Sequence, residues 1–253
     1  MTDALIRALP STSDSSRPWL VWYAPGERIE LTGHVLSMWH AKCAGFITAE
    51  AGPGADVHLG MSPHWRAVTW CAGAWVAGAT PVLVECDDFL VGNLLEEDPS
   101  MSVAFRIHWL FPSADVQVLV TMESLATRWP QPLPPLVLDG IADVMPFADR
   151  FPAAPMSGSE PALRIVDDGG ERTVSRDALA GGAPDADAEA ARAAGARALL
   201  IKRRTTGRAL LGVLAAWRAG LTAVLVSPEA DAALVATAAR QEGAVGSGPD
   251  SNA

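Results

Sequence analysis

A 29-residue stretch that occurs twice constrains this fold more than any other feature. Val57–Glu85 reads VHLGMSPHWRAVTWCAGAWVAGATPVLVE, and Leu199–Ser227 reads LLIKRRTTGRALLGVLAAWRAGLTAVLVS. A shift of 142 residues superposes them without a gap. Arg66/Arg208, Ala67/Ala209, Ala74/Ala216, Trp75/Trp217, Ala77/Ala219, Gly78/Gly220, Thr80/Thr222 and the Val-Leu-Val of 82–84 and 224–226 coincide. Each copy spells strand, turn, helix, strand. In the first, Val57–Met61 is a short apolar run, Ser62-Pro63-His64 interrupts it, and Arg66–Ala77 is helical in composition. Gly78 stands where a helix C-cap glycine belongs, and Pro81–Val84 is a second β-branched run. Two strands joined by a crossover helix in so few residues must run parallel. A solenoid needs three or more repeats. The pair therefore points to an α/β fold of two pseudo-repeated βαβ-containing lobes with mostly parallel sheets.

The remaining elements fall around this unit. Asp3–Leu9 reads as a short helix, and residues 11–16 as a loose Ser/Asp-rich connection. Trp19–Tyr23 is a strand, Ala24-Pro25-Gly26 a turn and Arg28–Leu31 the returning strand. Thr32 is the expected N-cap of a helix over Gly33–Ala49. Glu85–Ser100 carries Glu85, Asp87, Asp88, Glu96, Glu97 and Asp98, read as a solvated helix face. Val116–Thr121 is a strand, Pro130–Pro135 a stiff connector, and Leu136–Arg150 a mixture of strand and turn. Linker composition at 152–161 places a first lobe at 1–151 and a second at 162–242, with a disordered tail at 243–253. The second lobe opens with a strand at Ala162–Val166, a tight turn at Asp167–Gly170 and a return at Thr173–Val174. Ser175 then caps a helix at Arg176–Ala180. Pro184–Gly195 and Ala230–Gln241 are further helices, and Ala198–Ile201 starts the second repeat.

Composition narrows the function classes. The net charge of −10 over 253 residues argues against a nucleic-acid footprint, which needs clustered positive charge, and against anionic membrane surfaces. Cys43, Cys71 and Cys86 are odd in number and without CxxC spacing, as expected of free buried thiols in a reducing cytoplasm. No basic stretch followed by an apolar run opens the chain, so a cytoplasmic location is expected. Ala67–Val84 is 18 residues without a charge, but its glycines and Pro81 make it a soluble helix–turn–strand.

Residues 29–85, from IELTGHVLSMWHAKCAG through GPGADVHLG to AGATPVLVE, carry a resemblance. The order Leu-Thr, amphipathic helix, Gly-Pro-Gly-x-Asp-Val, strand, helix ending Ala-Gly-Ala and a Pro-Val-Leu-Val strand resembles the start of the AMP-binding, acyl-adenylate-forming enzymes. These are the acyl-CoA synthetases, nonribosomal peptide adenylation domains and luciferases. The whole chain looks like a shortened bacterial family of such proteins. The resemblance implies the fold of a truncated N-terminal domain. It also implies a Ser/Thr/Gly-rich loop ending in Pro-Lys-Gly to hold ATP phosphates. Here the matching segment is Asp167-Asp168-Gly169-Gly170-Glu171, with no lysine after it. The family's Tyr-Gly-x-Thr-Glu motif, ribose-binding aspartate and lid lysine do not follow before residue 253. The expectation is a non-catalytic, degenerate relative acting as a binding or regulatory module, with no catalytic residue and no cofactor. The alternative is an AMP/ATP- or acyl-binding ligase fragment active only with a partner chain or as an oligomer. The partners implied are a small acyl or nucleotide ligand, a second copy or another protein.

One loop could bind an anion. Lys202-Arg203-Arg204-Thr205-Thr206-Gly207-Arg208 follows a strand and precedes a helix, where backbone N–H groups collect negative charge. Lys202, Thr205, Thr206, Gly207 and Arg208 are the candidate anion- or nucleotide-binding residues. Equally, the loop is the second copy's counterpart of Met61–Arg66, with solvated arginines. It does not match a Walker loop. His34, His40 and Cys43, at i, i+6 and i+9, do not share a helix face, so no metal site is assigned. Trp65 and Trp129, near turns, are the tryptophans expected to line a cleft.

Overall fold

The computed structural model describes residues 3–85, 95, 97–182 and 185–246. The chain begins with α1 (Ala4–Ala8), β1 (Pro18–Ala24), β2 (Glu27–Thr32) and α2 (Gly33–Glu50). The first repeat follows as β3 (Asp56–Gly60), α3 (Trp65–Ala77) and β4 (Thr80–Val84). Next come β5 (Met101–Ala104), a 3-10 turn at Ile107–Trp109, β6 (Val116–Leu119), β7 (Val137–Asp139), β8 (Pro161–Asp167) and β9 (Gly170–Ser175). Two helices, α4 (Arg176–Gly181) and α5 (Ala186–Ala193), lead to the second repeat, β10 (Ala198–Ile201), α6 (Thr206–Arg218) and β11 (Thr222–Val226). The described chain closes with α7 (Ala232–Glu242) and β12 (Ala244–Val245). Seven strands form one sheet in the order β7-β6-β5-β3-β4-β8-β9, and five form another in the order β12-β10-β11-β1-β2. All pairings are parallel except the hairpins β1–β2 and β8–β9.

The repeat is reproduced down to its hydrogen bonds. Asp56 pairs with Thr80 and Val57 with Pro81; 142 residues on, Ala198 pairs with Thr222 and Leu199 with Ala223. Both helices end in a Schellman motif, the double hydrogen bond that closes a helix over a left-handed residue. Gly78 and Gly220 supply that residue, with φ of 76° and 75°. In one copy Ala79 N–H bonds Ala74 O at 2.8 Å and Gly78 N–H bonds Trp75 O at 3.2 Å. In the other, Leu221 N–H bonds Ala216 O at 2.8 Å and Gly220 N–H bonds Trp217 O at 3.0 Å. The two tryptophans are also equivalent: Trp75 Nε1 donates to Ala162 O at 2.5 Å, and Trp217 Nε1 to Trp19 O at 2.9 Å.

Those last hydrogen bonds reveal that the duplication extends to the hairpins, now at an offset of 143. Pro18 pairs with Thr32, a bulge follows, and Leu20 pairs with Leu31; Pro161 pairs with Ser175, a bulge follows, and Leu163 pairs with Val174. Thr32 Oγ1 then caps Val35 N–H, and Ser175 Oγ caps Ala178 N–H, each at 3.3 Å. The hairpins are exchanged between sheets. β1 of the first hairpin lies beside β11 of the second repeat, whereas β8 of the second hairpin lies beside β4 of the first.

The sequence reading places consecutive lobes at 1–151 and 162–242, whereas the contacts divide the chain discontinuously. Residues 1–7, 38–61 and 69–180 form one compact unit, and residues 8–37, 62–68 and 181–253 form the other. Residues 152–161 do not separate them, because the strand that follows pairs with β4. Within the stretch 243–253 read as a tail, Ala244 and Val245 form β12 and pair in parallel with β10, while 247–253 lie outside the described residues. Most of the acidic run at 85–100, including Asp87 and Asp88, and Cys86 likewise lie outside them.

In the first unit, Phe46 packs edge-on against Trp70 and Phe147, both at 5.8 Å between centroids. Lys42 Nζ ties down the 145–149 segment through Met145 O, Phe147 O and the Asp149 carboxylate. Arg164 bridges Asp56 and Glu171, linking β8 to β3 and β9. In the second unit, Val21, Tyr23, Leu200, Val224 and Val226 form a core covered by Leu234 and Val235 of α7. Cys43 and Cys71 are buried free thiols, and burial pushes the Cys71 thiol well above its ordinary value. No helix among the described residues is long and apolar enough to cross a membrane.

Candidate functional site

The 202–208 loop is built by β10, whose four residues are all buried, and by α6. Where the chain leaves the sheet, Lys202 turns inward. Its Nζ donates to the Ala230 carbonyl at 2.6 Å. Arg203 Nη1 donates to Lys202 O at 3.1 Å, and its Nη2 pairs with Asp187 of α5 at 3.2 Å. Lys202 and Arg203 are thus engaged by the protein's own oxygens. The Arg204 and Arg208 residues are exposed.

Thr205 has the extended backbone of an N-cap, φ −105° and ψ 150°, but its side chain makes no capping bond. Its Oγ1 is shielded from solvent without a hydrogen-bond partner. Thr206 and Gly207 are buried in the first turn of α6. Of the five sequence-predicted site residues, the structure gathers Thr205, Thr206, Gly207 and Arg208 at the start of a 13-residue helix, the end at which backbone dipoles favour anions. Lys202 is committed to the adjoining Ala230 carbonyl.

The twin turn in the first repeat is constructed differently. His64 Nδ1 accepts the Arg66 N–H at 3.0 Å, so its proton sits on Nε2. The His64 ring packs against Trp22 at a tilt of 58° with centroids 4.5 Å apart, and the Arg66 guanidinium lies 4.5 Å over Trp65. His64, Trp65 and Arg66 are all buried, at 3% exposure or less, so Trp65 packs into the core instead of lining a cleft. Trp129 is half-buried against Ala104, Leu110, Leu119 and Val137. At the opposite end of α6 is a 260 Å³ cleft lined by Asp185, Glu189, Arg192 and Arg218 among others. Its two carboxylates and two guanidiniums offset one another.

The segment expected to hold phosphates is a closed hairpin. Asp167 pairs with Gly170 directly across a two-residue turn of Asp168 and Gly169. Asp167 Oδ1 accepts the Gly169 N–H at 2.9 Å, and Arg172 pairs with Asp167 Oδ2 at 3.2 Å. One residue that sequence reasoning missed is Arg176, the first of α4. It is fully buried, and its Nε donates to Asp3 Oδ2 at 2.5 Å. An arginine after a serine cap is unremarkable in sequence, and its partner lies 173 residues away.

No protein-family model matches the chain. A curated relative, a "TIGR03089 family protein" of Mycobacterium tuberculosis, is 34% identical over 85 residues, 32% of this chain and 33% of the relative. Among solved structures, the acyl-CoA synthetase of Brucella canis aligns with a TM-score of 0.74 at 16% identity, over 96% of this chain and 46% of its own. The N-terminal domain of FACL13 from Mycobacterium tuberculosis aligns at 0.68 and 16% identity, over 96% of this chain and 62% of its own. The AMPPNP-bound nonribosomal peptide synthetase FmoA3 aligns at 0.64 and 19% identity, over 95% of this chain and 24% of its own. The chain thus spans about a third of the curated relative and about half of the Brucella enzyme. Its two mostly parallel sheets have the fold of the N-terminal domain of an acyl-CoA synthetase.

Proposed function

We propose that this chain is a non-catalytic binding or regulatory module, working in the cytoplasm on the scaffold of an adenylate-forming enzyme. The observation that carries this reading is the β8–β9 hairpin. It has the same length and register as its twin β1–β2 and closes in a two-residue turn. It therefore lacks the extra residues needed to wrap a triphosphate. Its turn presents Asp167 and Asp168, whose charge repels phosphate, and its nearest cations are already paired. Arg172 is held by Asp167, and Arg164 by Asp56 and Glu171. Carboxylate-dependent exchange of pyrophosphate into ATP tests the proposal, using fatty, aromatic and amino acids as substrates. The expected rate is that of a protein-free control; exchange above it would refute the non-catalytic assignment.

A second reading, an AMP/ATP- or acyl-binding fragment completed by a partner chain or a second copy, is favoured by the start of α6. There the solvent-shielded Thr205 hydroxyl lies near exposed Arg204 and Arg208. The AMPPNP-bound synthetase of the same fold makes a nucleotide a reasonable probe. Titration with ATP and AMP should raise the melting temperature saturably, and Thr205→Val with Arg208→Ala should weaken the effect at least tenfold. No shift at millimolar nucleotide would eliminate this reading.

A further inference from the structure

The hairpin copies differ sharply at one position. Gly33 and Arg176 are equivalent at the offset of 143, each directly after the capping Thr32 or Ser175. At Gly33 a side chain has no room, since a Cβ would lie 2.4 Å from Asp14 Cβ. At Arg176 a whole guanidinium is enclosed, with no exposed surface. Burying a cation is costly unless it is paired and hydrogen-bonded, and the scaffold twin demonstrates that the architecture does not require one there.

The partners of that guanidinium are incomplete. Nε donates to Asp3 Oδ2 at 2.5 Å, Nη2 donates to Trp75 O at 2.8 Å, and Nη1 is buried with no hydrogen-bond partner. Asp3 meets the guanidinium through Oδ2, while its Oδ1 faces the start of α1 and accepts the Leu5 N–H at 2.9 Å. Arginine–carboxylate pairs gain most when both oxygens engage the fork. Asp3 and the fully buried Leu5 anchor a short segment, residues 3–7, over the charge.

We infer that the space around the Arg176 guanidinium is a binding site for a small carboxylate, filled here by the chain's own Asp3. The N-terminal segment is then a strap that occupies the site in cis. A free carboxylate, relieved of the duty of capping Leu5, engages two guanidinium nitrogens where Asp3 engages one. This site is independent of the phosphate hairpin and of the α6 loop.

Chemical rescue in the full-length chain tests it. Asp3→Ala should lower the melting temperature, and sodium formate should restore it saturably by about 3–6 °C at ten times its dissociation constant. Sodium chloride of matched ionic strength should not. Asp3→Ser, which keeps a short acceptor for Leu5 and vacates the carboxylate's place, should show the same selectivity if Asp3→Ala does not fold. Asp3→Ala combined with Arg176→Met should lose the formate response. Equal shifts with formate and chloride in both Asp3 variants would overturn the inference, as would a formate response that survives Arg176→Met.

Discussion

The paired glycines allow a backbone effect to be separated from a packing effect. Gly78 and Gly220 share a φ near 75° and the same Schellman bonds, so alanine at either meets the same left-handed penalty, about 1–2 kcal/mol. Their surroundings differ. A Cβ on Gly220 would meet nothing within 4 Å. On Gly78 it would lie 2.9 Å from Ala154 Cβ and 3.0 Å from Met156 Sδ. Met156 can rotate away, but Ala154 is fixed by its N–H bond to Val76 O at 3.1 Å. Overpacking of this kind adds about 1–3 kcal/mol. Gly220→Ala should therefore cost about 1–2 kcal/mol and Gly78→Ala about 2–5 kcal/mol, read from urea midpoints with unchanged slopes. Adding Met156→Ala to Gly78→Ala should recover the part due to sulfur, a coupling that Gly220→Ala must not show. Equal losses at the two glycines would refute the claim that the 154–156 segment presses on the end of α3.

Acid should destabilise the protein through two histidines. Burial pushes both His40 and His58 down to about 3, so they stay neutral when folded, whereas the unfolded chain takes up protons below about 6.5. Their stabilisation is complete above pH 6.5 and declines as the pH falls toward 3, by up to about 1.4 kcal/mol per pH unit for each histidine. Urea midpoints that stay flat between pH 7 and 5 would contradict this. The twin tryptophans should both matter: Trp75→Phe and Trp217→Phe each remove an indole donor from a strand carbonyl and should cost about 1–3 kcal/mol in thermal unfolding. A loss below about 0.5 kcal/mol at either would show that its carbonyl finds another donor.

Much of the βαβ scaffold was legible because its signals are local. β-branched runs, a C-cap glycine and a capping Thr32 or Ser175 each act within a few residues, and each is found where the sequence places it. Short strands were not legible. Met101–Ala104 has four residues, and Ala244–Val245 has two within a glycine-rich stretch, too few for any periodicity. The hairpin duplication was hidden because only Pro18/Pro161, Leu20/Leu163, Gly26/Gly169 and the Thr32/Ser175 cap survive. Sheet membership was beyond a local reading, since β1 and β11 pair across some two hundred residues. At the α6 loop, sequence located the helix start correctly. It could not show that Lys202 turns toward Ala230, because a side chain's direction depends on which carbonyl the fold leaves nearby.

The duplication also indicates where function can reside. Positions that agree between copies, such as the Schellman glycines, the indole donors and the capping hydroxyls, are explained by folding alone, because one physical role accounts for both occurrences. The β8–β9 turn belongs with them in geometry, since it matches the β1–β2 turn residue for residue. What folding does not explain is where one copy carries charge that its twin omits. The 202–208 loop replaces a buried cluster of His64, Trp65 and Arg66 with exposed arginines and a shielded, unbonded Thr205 hydroxyl. Arg176 replaces Gly33 with an enclosed cation that the N-terminal segment only half satisfies. A buried charge whose twin is a glycine costs stability that the scaffold does not need to lose. Of the two, Arg176 is therefore the position the scaffold explains less well, because exposed arginines cost almost nothing to keep.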